Sequence, residues 1–328
     1  MVVAQYKPRS WGMLTWSIER AAMSVSGHTI TVISPNPQQQ DDTAITALLA
    51  RHGVGVVARR DLPVPRTLAG QRLAYTLALE PVRDTQALNA DLADLADEQQ
   101  LDLVLQDLDS RLADYRLAVF DMDSTLIRCE VIDELATHAG VGDAVADITE
   151  RAMRGELDFD ASFTERLAML AGLPTSVLDS VAQQLPITEG LPELMITLRA
   201  RGIRTAILSG GFDYFARHLQ ARFGFDEVHA NVLATENGSA TGKVVPPIVN
   251  GLRKRELLLS IAQEQGLTTR QVIAVGDGAN DLPMLGCAGL GVAFHAKPIV
   301  RQQASYNLRY VGLDGVLYLL GSASERHD

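Results

Sequence analysis

Leu117-Ala118-Val119-Phe120-Asp121-Met122-Asp123-Ser124-Thr125 is the stretch on which the fold turns. Four apolar residues give a short buried-strand signal. It ends on two carboxylates, two residues apart, and then two hydroxyls. In open α/β sheets, ligands bind at the carboxyl ends of the strands. Two carboxylates at such a place repel each other unless a cation or a proton lies between them. That arrangement serves an aspartate nucleophile with a neighbouring acid, assisted by a metal. The same five polar-end residues also suit an ordinary acidic turn, so the decision rests on what the rest of the chain brings.

Two more apolar runs end in the same manner. Thr205-Ala206-Ile207-Leu208 runs into Ser209-Gly210-Gly211, and Val272-Ile273-Ala274-Val275 runs into Gly276-Asp277-Gly278-Ala279-Asn280-Asp281. Between them, Lys254 opens a helical pattern inside Arg253-Lys254-Arg255. A strand-end Asp, a strand-end Ser, a Lys and a strand-end Asp supply what phosphoryl transfer needs: nucleophile, oxygen-binding donors, a balancing cation and metal-binding carboxylates.

These segments resemble the four motifs of the haloacid dehalogenase superfamily. Glu130, Glu150-Arg151-Ala152-Met153, Arg166 and Thr188-Glu189-Gly190 extend the likeness towards its members that hydrolyse phosphoserine, and it runs from Leu117 to the C-terminus. The resemblance implies an α/β fold, a Rossmann-like core with a parallel sheet and a helical cap. It implies a phosphatase that releases serine as the last step of serine biosynthesis, with phosphoserine as its small-molecule substrate. Asp121 is then the nucleophile, Asp123 the general acid and later the base, and Lys254 the balancing cation. Ser209 and the Gly210 N–H bind phosphoryl oxygens. The cofactor expected is Mg2+, held by Asp121, the backbone carbonyl of Asp123, and Asp277, since hard oxygens suit it and no His/Cys cluster favours zinc. Asp281 supports that shell by hydrogen bonds, and Asn280 contacts substrate or shell. Glu130 and Arg166 would bind the ammonium and carboxylate of the substrate. Met153 and Phe159 would form an apolar wall that excludes water. Without the resemblance, Glu130 and Arg166 read as surface helix charge and Met153 and Phe159 as core.

The chain has 328 residues, 47% apolar and 21% charged, with a mean hydropathy of +0.06. Length and composition suggest two globular domains. A net charge of −11 argues against nucleic acid or a membrane surface as partner. No apolar run approaches the ~18 residues of a membrane span, and residues 1–8 lack a signal-peptide pattern. Two cysteines, Cys129 and Cys287, suit a reducing cytoplasm.

Before the phosphatase region, strand patterns at His28–Ile33, Val54–Ala58, Leu73–Leu79 and Leu101–Leu105 alternate with helical patterns at Thr43–Arg51 and Thr85–Glu98. The order βαββαβ is that of a ferredoxin-like α+β domain, spanning residues 28–108, and it resembles an ACT-type regulatory module. Residues 1–27 carry no strong pattern. The loop Ser34-Pro35-Asn36-Pro37-Gln38-Gln39-Gln40 lacks the glycine of amino-acid-binding modules of that type. A scaffold role, with pairing of two chains into a homodimer through this domain, is therefore expected over amino-acid sensing.

The phosphatase domain is expected over residues 112–328. Its cap, about 129–186, reads as four amphipathic helices: Glu130–Gly140, Asp143–Gly155, Phe159–Leu170 and Thr175–Gln184. A core helix follows at Glu193–Gly202, and Asn237-Gly238 marks a hairpin within 232–244. Gly238-Ser239-Ala240-Thr241-Gly242-Lys243 looks like a phosphate-binding P-loop. It is one residue short, Val244 replaces the Ser or Thr, and no helix follows. The alternatives are a related small-molecule phosphatase or phosphotransferase and, in a different class, a non-catalytic amino-acid sensor.

Overall fold

Alternating apolar residues give the N-terminal domain its four strands: β1 (His28–Ser34), β2 (Val56–Asp61), β3 (Leu73–Leu79) and β4 (Asp102–Asp107). They pair antiparallel in the order β2-β3-β1-β4. The helices α1 (Thr43–Arg51) and α2 (Thr85–Gln99) complete the ferredoxin-like order. The computed structural model describes residues 27–38 and 42–321. The expected segment 1–27 lies outside the described residues except for Gly27, as do Gln39 and Gln40 of the first loop. β2 starts two residues later than the apolar run suggests. Val54 is drawn back by a bond from its N–H to the Leu49 carbonyl, 3.0 Å, and packs beneath the helices instead.

Both faces of β1, β3 and β4 are covered, while β2 is largely exposed. Ile30, Val32, Tyr75, Leu77 and Leu103 pack under α1 and α2. Ile33, Ala74 and Val104, on the opposite face, join the core of the following domain. This explains why Thr29 and Thr31, which alternate with apolar neighbours, are buried. Buried polar groups cross the junction in matched pairs, as desolvated groups must. Gln106 donates to the Leu319 carbonyl at 3.2 Å. Arg111 donates to the Tyr318 carbonyl at 2.9 Å and to the Thr31 hydroxyl at 3.1 Å. The Asp102 carboxylate accepts from the N–H groups of Arg309, Tyr310 and Val311.

The second domain is a six-stranded, all-parallel sheet in the order β12-β11-β10-β5-β6-β7. Its strands are β5 (Leu117–Phe120), β6 (Arg204–Phe212), β7 (Glu227–Asn231), β10 (Val272–Gly276), β11 (Leu290–Phe294) and β12 (Tyr306–Leu308). A hairpin of β8 (Thr235–Glu236) and β9 (Ser239–Ala240) sits apart, turning at Asn237-Gly238 as expected. Helices α3 (Val131–Ala139), α4 (Gly142–Met153), α5 (Phe159–Ala168) and α6 (Ser176–Gln184) form the cap. Helices α7 (Leu191–Ala200), α8 (Asp213–Phe223) and α9 (Gly251–Glu264) belong to the core. The expected cap and core helices are thus present with ends moved by a few residues. β7, β11 and β12 had no counterpart in the sequence reading.

The register of the sheet positions the site. Phe120 on β5 pairs with Val275 on β10 and with Ile207 on β6. Asp121, Asp277 and Ser209, one or two residues further on, therefore emerge side by side at the carboxyl ends of three neighbouring strands. The Asp121 N–H continues the ladder by donating to the Val275 carbonyl at 2.9 Å.

Arg72 of β2–β3 reaches across the junction to Asp314 (3.1 Å) and Glu189 (2.8 Å), with the Arg72 and Asp314 side chains 4% and 0% exposed. Breaking a buried pair leaves an uncompensated charge. Arg72→Ala is expected to destabilise the protein by about 3–5 kcal/mol. A urea titration reads this as a lower midpoint, and an unchanged midpoint would contradict it.

Candidate active site

Lys254 is the centre of the site. The sequence Asn250-Gly251-Leu252-Arg253 starts α9, and Lys254 on its first turn points under the sheet edge with no exposed surface. Its Nζ lies 2.8 Å from Asp121 Oδ1 and 2.7 Å from Asp281 Oδ1. The second oxygen of Asp281 accepts from the Asp277 and Gly278 N–H groups at 3.1 and 3.0 Å, which shapes the turn after β10. The Thr125 hydroxyl donates to Asp277 Oδ1 at 3.0 Å, joining that turn to the one after β5.

Asp123 faces the other way, towards the cap. Its Oδ1 accepts from the Val131 N–H at the start of α3, 3.1 Å. Gly211 passes so close to the Asp123 carboxylate that a β-carbon there would collide with it, which is a reason for glycine at this place. The Gly211 N–H donates to the Ser209 hydroxyl at 2.9 Å. Ser124 takes a left-handed backbone (φ 56°), and its hydroxyl donates to Glu130 at 2.8 Å.

A cleft of about 940 Å³ lies between cap and core. Asp121, Asp123, Asp277, Gly210 and Asn280 form its floor, and Glu130, Arg166, Met153 and Phe159 its cap side. Ser209, Lys254 and Asp281 lie buried below that floor. Every expected site residue is thus in or directly under one cleft. Met153 borders it but remains 68% exposed, so it contributes less wall than Phe159. The Phe159 ring covers Gly210 and stacks on Phe163 at 6.2 Å, and Phe163 packs on Phe212 at 5.8 Å.

Electrostatics follow from burial. Desolvation pushes the Asp121 carboxyl well above its ordinary range; Asp281 and Asp277 add to this, and Lys254 opposes it. Asp123 is also pushed up, first by burial and then by Glu130. Asp277 rises to about 7, by burial and then by Asp281. Burial alone would discharge Lys254, but Asp121 and Asp281 outweigh it and hold the ammonium. Burial and the nearby carboxylates raise the Cys129 thiol to about 12, which makes it a poor nucleophile.

Asp121, Asp277 and Asp281 bring carboxylate oxygens within 4.8 Å of one another. These three carboxylates stand against one ammonium, Lys254, so acidic groups are in excess. A divalent cation offsets that excess, and the all-oxygen donors fit a hard ion. The residues present therefore fit a divalent metal.

Other polar residues of the site carried no signal in the sequence. Asn231, at the end of β7, donates from its side-chain amide to the Gly210 carbonyl at 2.8 Å and accepts from the Val249 N–H at 2.8 Å. Asp133 lines the cleft and feels the charge of Arg166. Asp160 and Asn250 join cap to core. Their partners lie far away in sequence, so no local pattern marks them.

A family model described as haloacid dehalogenase-like hydrolase matches residues 115–289. The chain belongs to this family. Among its relatives, the phosphoserine phosphatase of Vibrio cholerae is 46% identical over 207 residues, covering 63% of this chain and 63% of that protein. The chain thus spans just under two thirds of that relative's length. A haloacid dehalogenase family hydrolase from Salmonella enterica serovar Typhi superposes with a TM-score of 0.79 at 33% identity, over 90% of this chain and 99% of that one. The phospho-aspartyl intermediate analogue of a phosphoserine phosphatase superposes with a TM-score of 0.60 at 37% identity, over 64% of this chain and all of that one.

Asn231 is 2% exposed. Asn231→Leu would leave the half-buried Gly210 carbonyl and the buried Val249 N–H without this partner, at about 1–3 kcal/mol for the buried group. The expected outcome is a lower urea midpoint together with slower phosphate release, since Gly210 loses its anchor. Wild-type values for both would refute the assignment.

Proposed function

We propose that this protein is a phosphoserine phosphatase, cleaving O-phospho-L-serine to L-serine and phosphate. One observation carries the reading. Asp121 is gripped by the buried Lys254 ammonium at the floor of a cleft whose cap side presents Glu130 and Arg166. A phosphomonoester bearing one ammonium and one carboxylate matches that charge pattern, and Arg grips a carboxylate through paired hydrogen bonds.

The chemistry proceeds in two steps. A carboxylate oxygen of Asp121 attacks phosphorus, and the bond from phosphorus to the serine oxygen breaks. The departing alkoxide takes a proton from Asp123, whose carboxyl is pushed upward by burial and then by Glu130, the direction that favours holding one. Asp123, now charged, then removes a proton from water. That water attacks the acyl-phosphate, breaking the bond between Asp121 oxygen and phosphorus and freeing phosphate. Ser209 and the Gly210 N–H would hold the phosphoryl oxygens, and Lys254 would balance their charge and that of Asp121. Mg2+, held by Asp121, the Asp123 carbonyl and Asp277 and supported through Asp281, would supply further charge neutralisation at the phosphoryl group. Asn280 would contact the substrate from the floor. Phe159, with a lesser part for Met153, would exclude water.

The N-terminal domain is proposed as a scaffold. Pairing of two chains through it would use the free edge of β2, where Val57 is 68% exposed. Among the described residues no helix is long and apolar enough to cross a membrane. The cysteines Cys129 and Cys287 are unpaired, which fits a cytoplasmic site of action.

Phosphate release from phosphoserine is the test. It should require added Mg2+, stop with chelator, and fall at least about 10³-fold in Asp121→Asn, because an amide is no nucleophile. Chelator-resistant turnover, or an active folded Asp121→Asn, would sink the mechanism.

Arg166→Ala separates this substrate from other phosphomonoesters. Losing one partner of a desolvated charge pair costs about 2–5 kcal/mol, or roughly 30-fold or more in kcat/KM. A phosphomonoester without a carboxylate should lose little. Equal losses on both substrates would assign Arg166 to structure or to the phosphoryl group, and would favour a related phosphatase of different substrate.

A further inference from the structure

Asn250 stands where three parts of the site meet. Its side-chain oxygen accepts from the Arg253 N–H at 3.0 Å and so caps α9. Its backbone carbonyl accepts from the Lys254 N–H at 2.8 Å. The capping bond fixes the orientation of the side-chain amide, so the NH2 group faces the cap. There it donates to both carboxylate oxygens of Asp160, at 3.0 and 3.2 Å. Asp160 lies in the first turn of α5, next to Phe159, whose ring covers Gly210.

The surroundings of Asn250 reach the rest of the site. Gly251 lies so close against the turn after β10 that a β-carbon would sit 2.6 Å from the Asn280 carbonyl oxygen, where none fits. Val249, one residue before, donates to Asn231, which in turn holds the Gly210 carbonyl. A chain of hydrogen bonds thus runs from the cap at Asp160, through Asn250 and its neighbour, to the phosphoryl-binding turn.

We propose that the Asn250–Asp160 pair is the latch of the cap, a bond made on closure that ties the closed cap to the helix carrying Lys254. The proposal deepens the phosphatase reading, and its kinetic consequences rest on that reading. Both side chains border the cleft, so in an open cap water replaces each as the other's partner. The bond then biases closure modestly, which a lid that must reopen requires. A charge-assisted bond is stronger than a neutral one, and an amide opposite a carboxylate supplies it without a second charge under the cap. Asn250 and Asp160 are positioning residues. Saturating substrate closes the cap by itself, so the bias acts on KM and spares kcat.

Variants of the pair test this. Asp160→Ala and Asn250→Asp each remove the bond, and the second keeps an oxygen to cap α9. Each is expected to raise KM for phosphoserine about 10-fold, with kcat within about threefold of wild type. Asp160→Asn keeps an acceptor and should stay near wild type. The double variant Asp160→Asn with Asn250→Asp reverses donor and acceptor, and should return KM to within about threefold of wild type, a rescue that a purely structural role would not give. Spin labels on Arg154→Cys in the cap and Gln263→Cys on α9, with Cys129 and Cys287 replaced by serine, read the cap position without substrate. The label distances should lengthen in Asp160→Ala and recover in the reversed pair. Unchanged distances in Asp160→Ala, or a reversed pair no better than Asn250→Asp alone, would overturn the latch. If the unsubstituted protein fails to hydrolyse phosphoserine, the functional reading falls instead, and the distance measurement still decides the latch.

Discussion

A buried ammonium between two buried carboxylates governs this structure. Lys254 has no exposed surface and meets Asp121 at 2.8 Å and Asp281 at 2.7 Å. Such a group is costly to desolvate, and ion pairs of this kind add little net stability. Its presence is better explained by chemistry. Asp281 uses its other oxygen to hold the Asp277 and Gly278 N–H groups, and Asp277 is tied to Thr125 beyond β5. The positions of three separate chain segments therefore depend on one charge.

The same physics separates two carboxylates that sit two residues apart. Asp121 points at Lys254, while Asp123 points at the cap and its environment of Glu130 and the α3 backbone. Both are buried beside like charges, but of the two Asp121 alone has a cation at hydrogen-bond distance. That difference fits the opposite duties proposed for two identical side chains. The place of Asp123 also depends on Gly211, since any side chain there would displace it.

Legibility in the sequence divided along the range of the interactions. The strand ends at Asp121, Ser209 and Asp277 were readable because each follows a short apolar run, and parallel pairing then brings them level. The cap helices were readable from their apolar periodicity and from glycines near their ends, such as Gly140 and Gly155. The family likeness suggested the roles proposed for Glu130 and Arg166, which periodicity alone leaves as surface charge. β12 escaped because Tyr306-Asn307-Leu308 is three residues long and mixed, and β7 because Glu227-Val228-His229-Ala230-Asn231 has few apolar positions. The buried state of Thr29 and Thr31 was hidden too. An alternating strand ordinarily has one wet face, and here a second domain covers it.

That second covering changes what the N-terminal domain is. Its sheet forms a wall of the core of the following domain, through Ile33, Ala74 and Val104. Arg72 reaches Glu189 and Asp314, and the Glu189 carbonyl accepts from the Leu313 N–H at 2.8 Å. Glu189 lies just after Ile187, whose bridge to Ile127 closes the base of the cap. The N-terminal domain therefore touches the segment by which the cap returns to the core. A module with no residue in the cleft lining thus contacts one of the segments on which the cap stands, and its share in the core supports the scaffold role proposed for it.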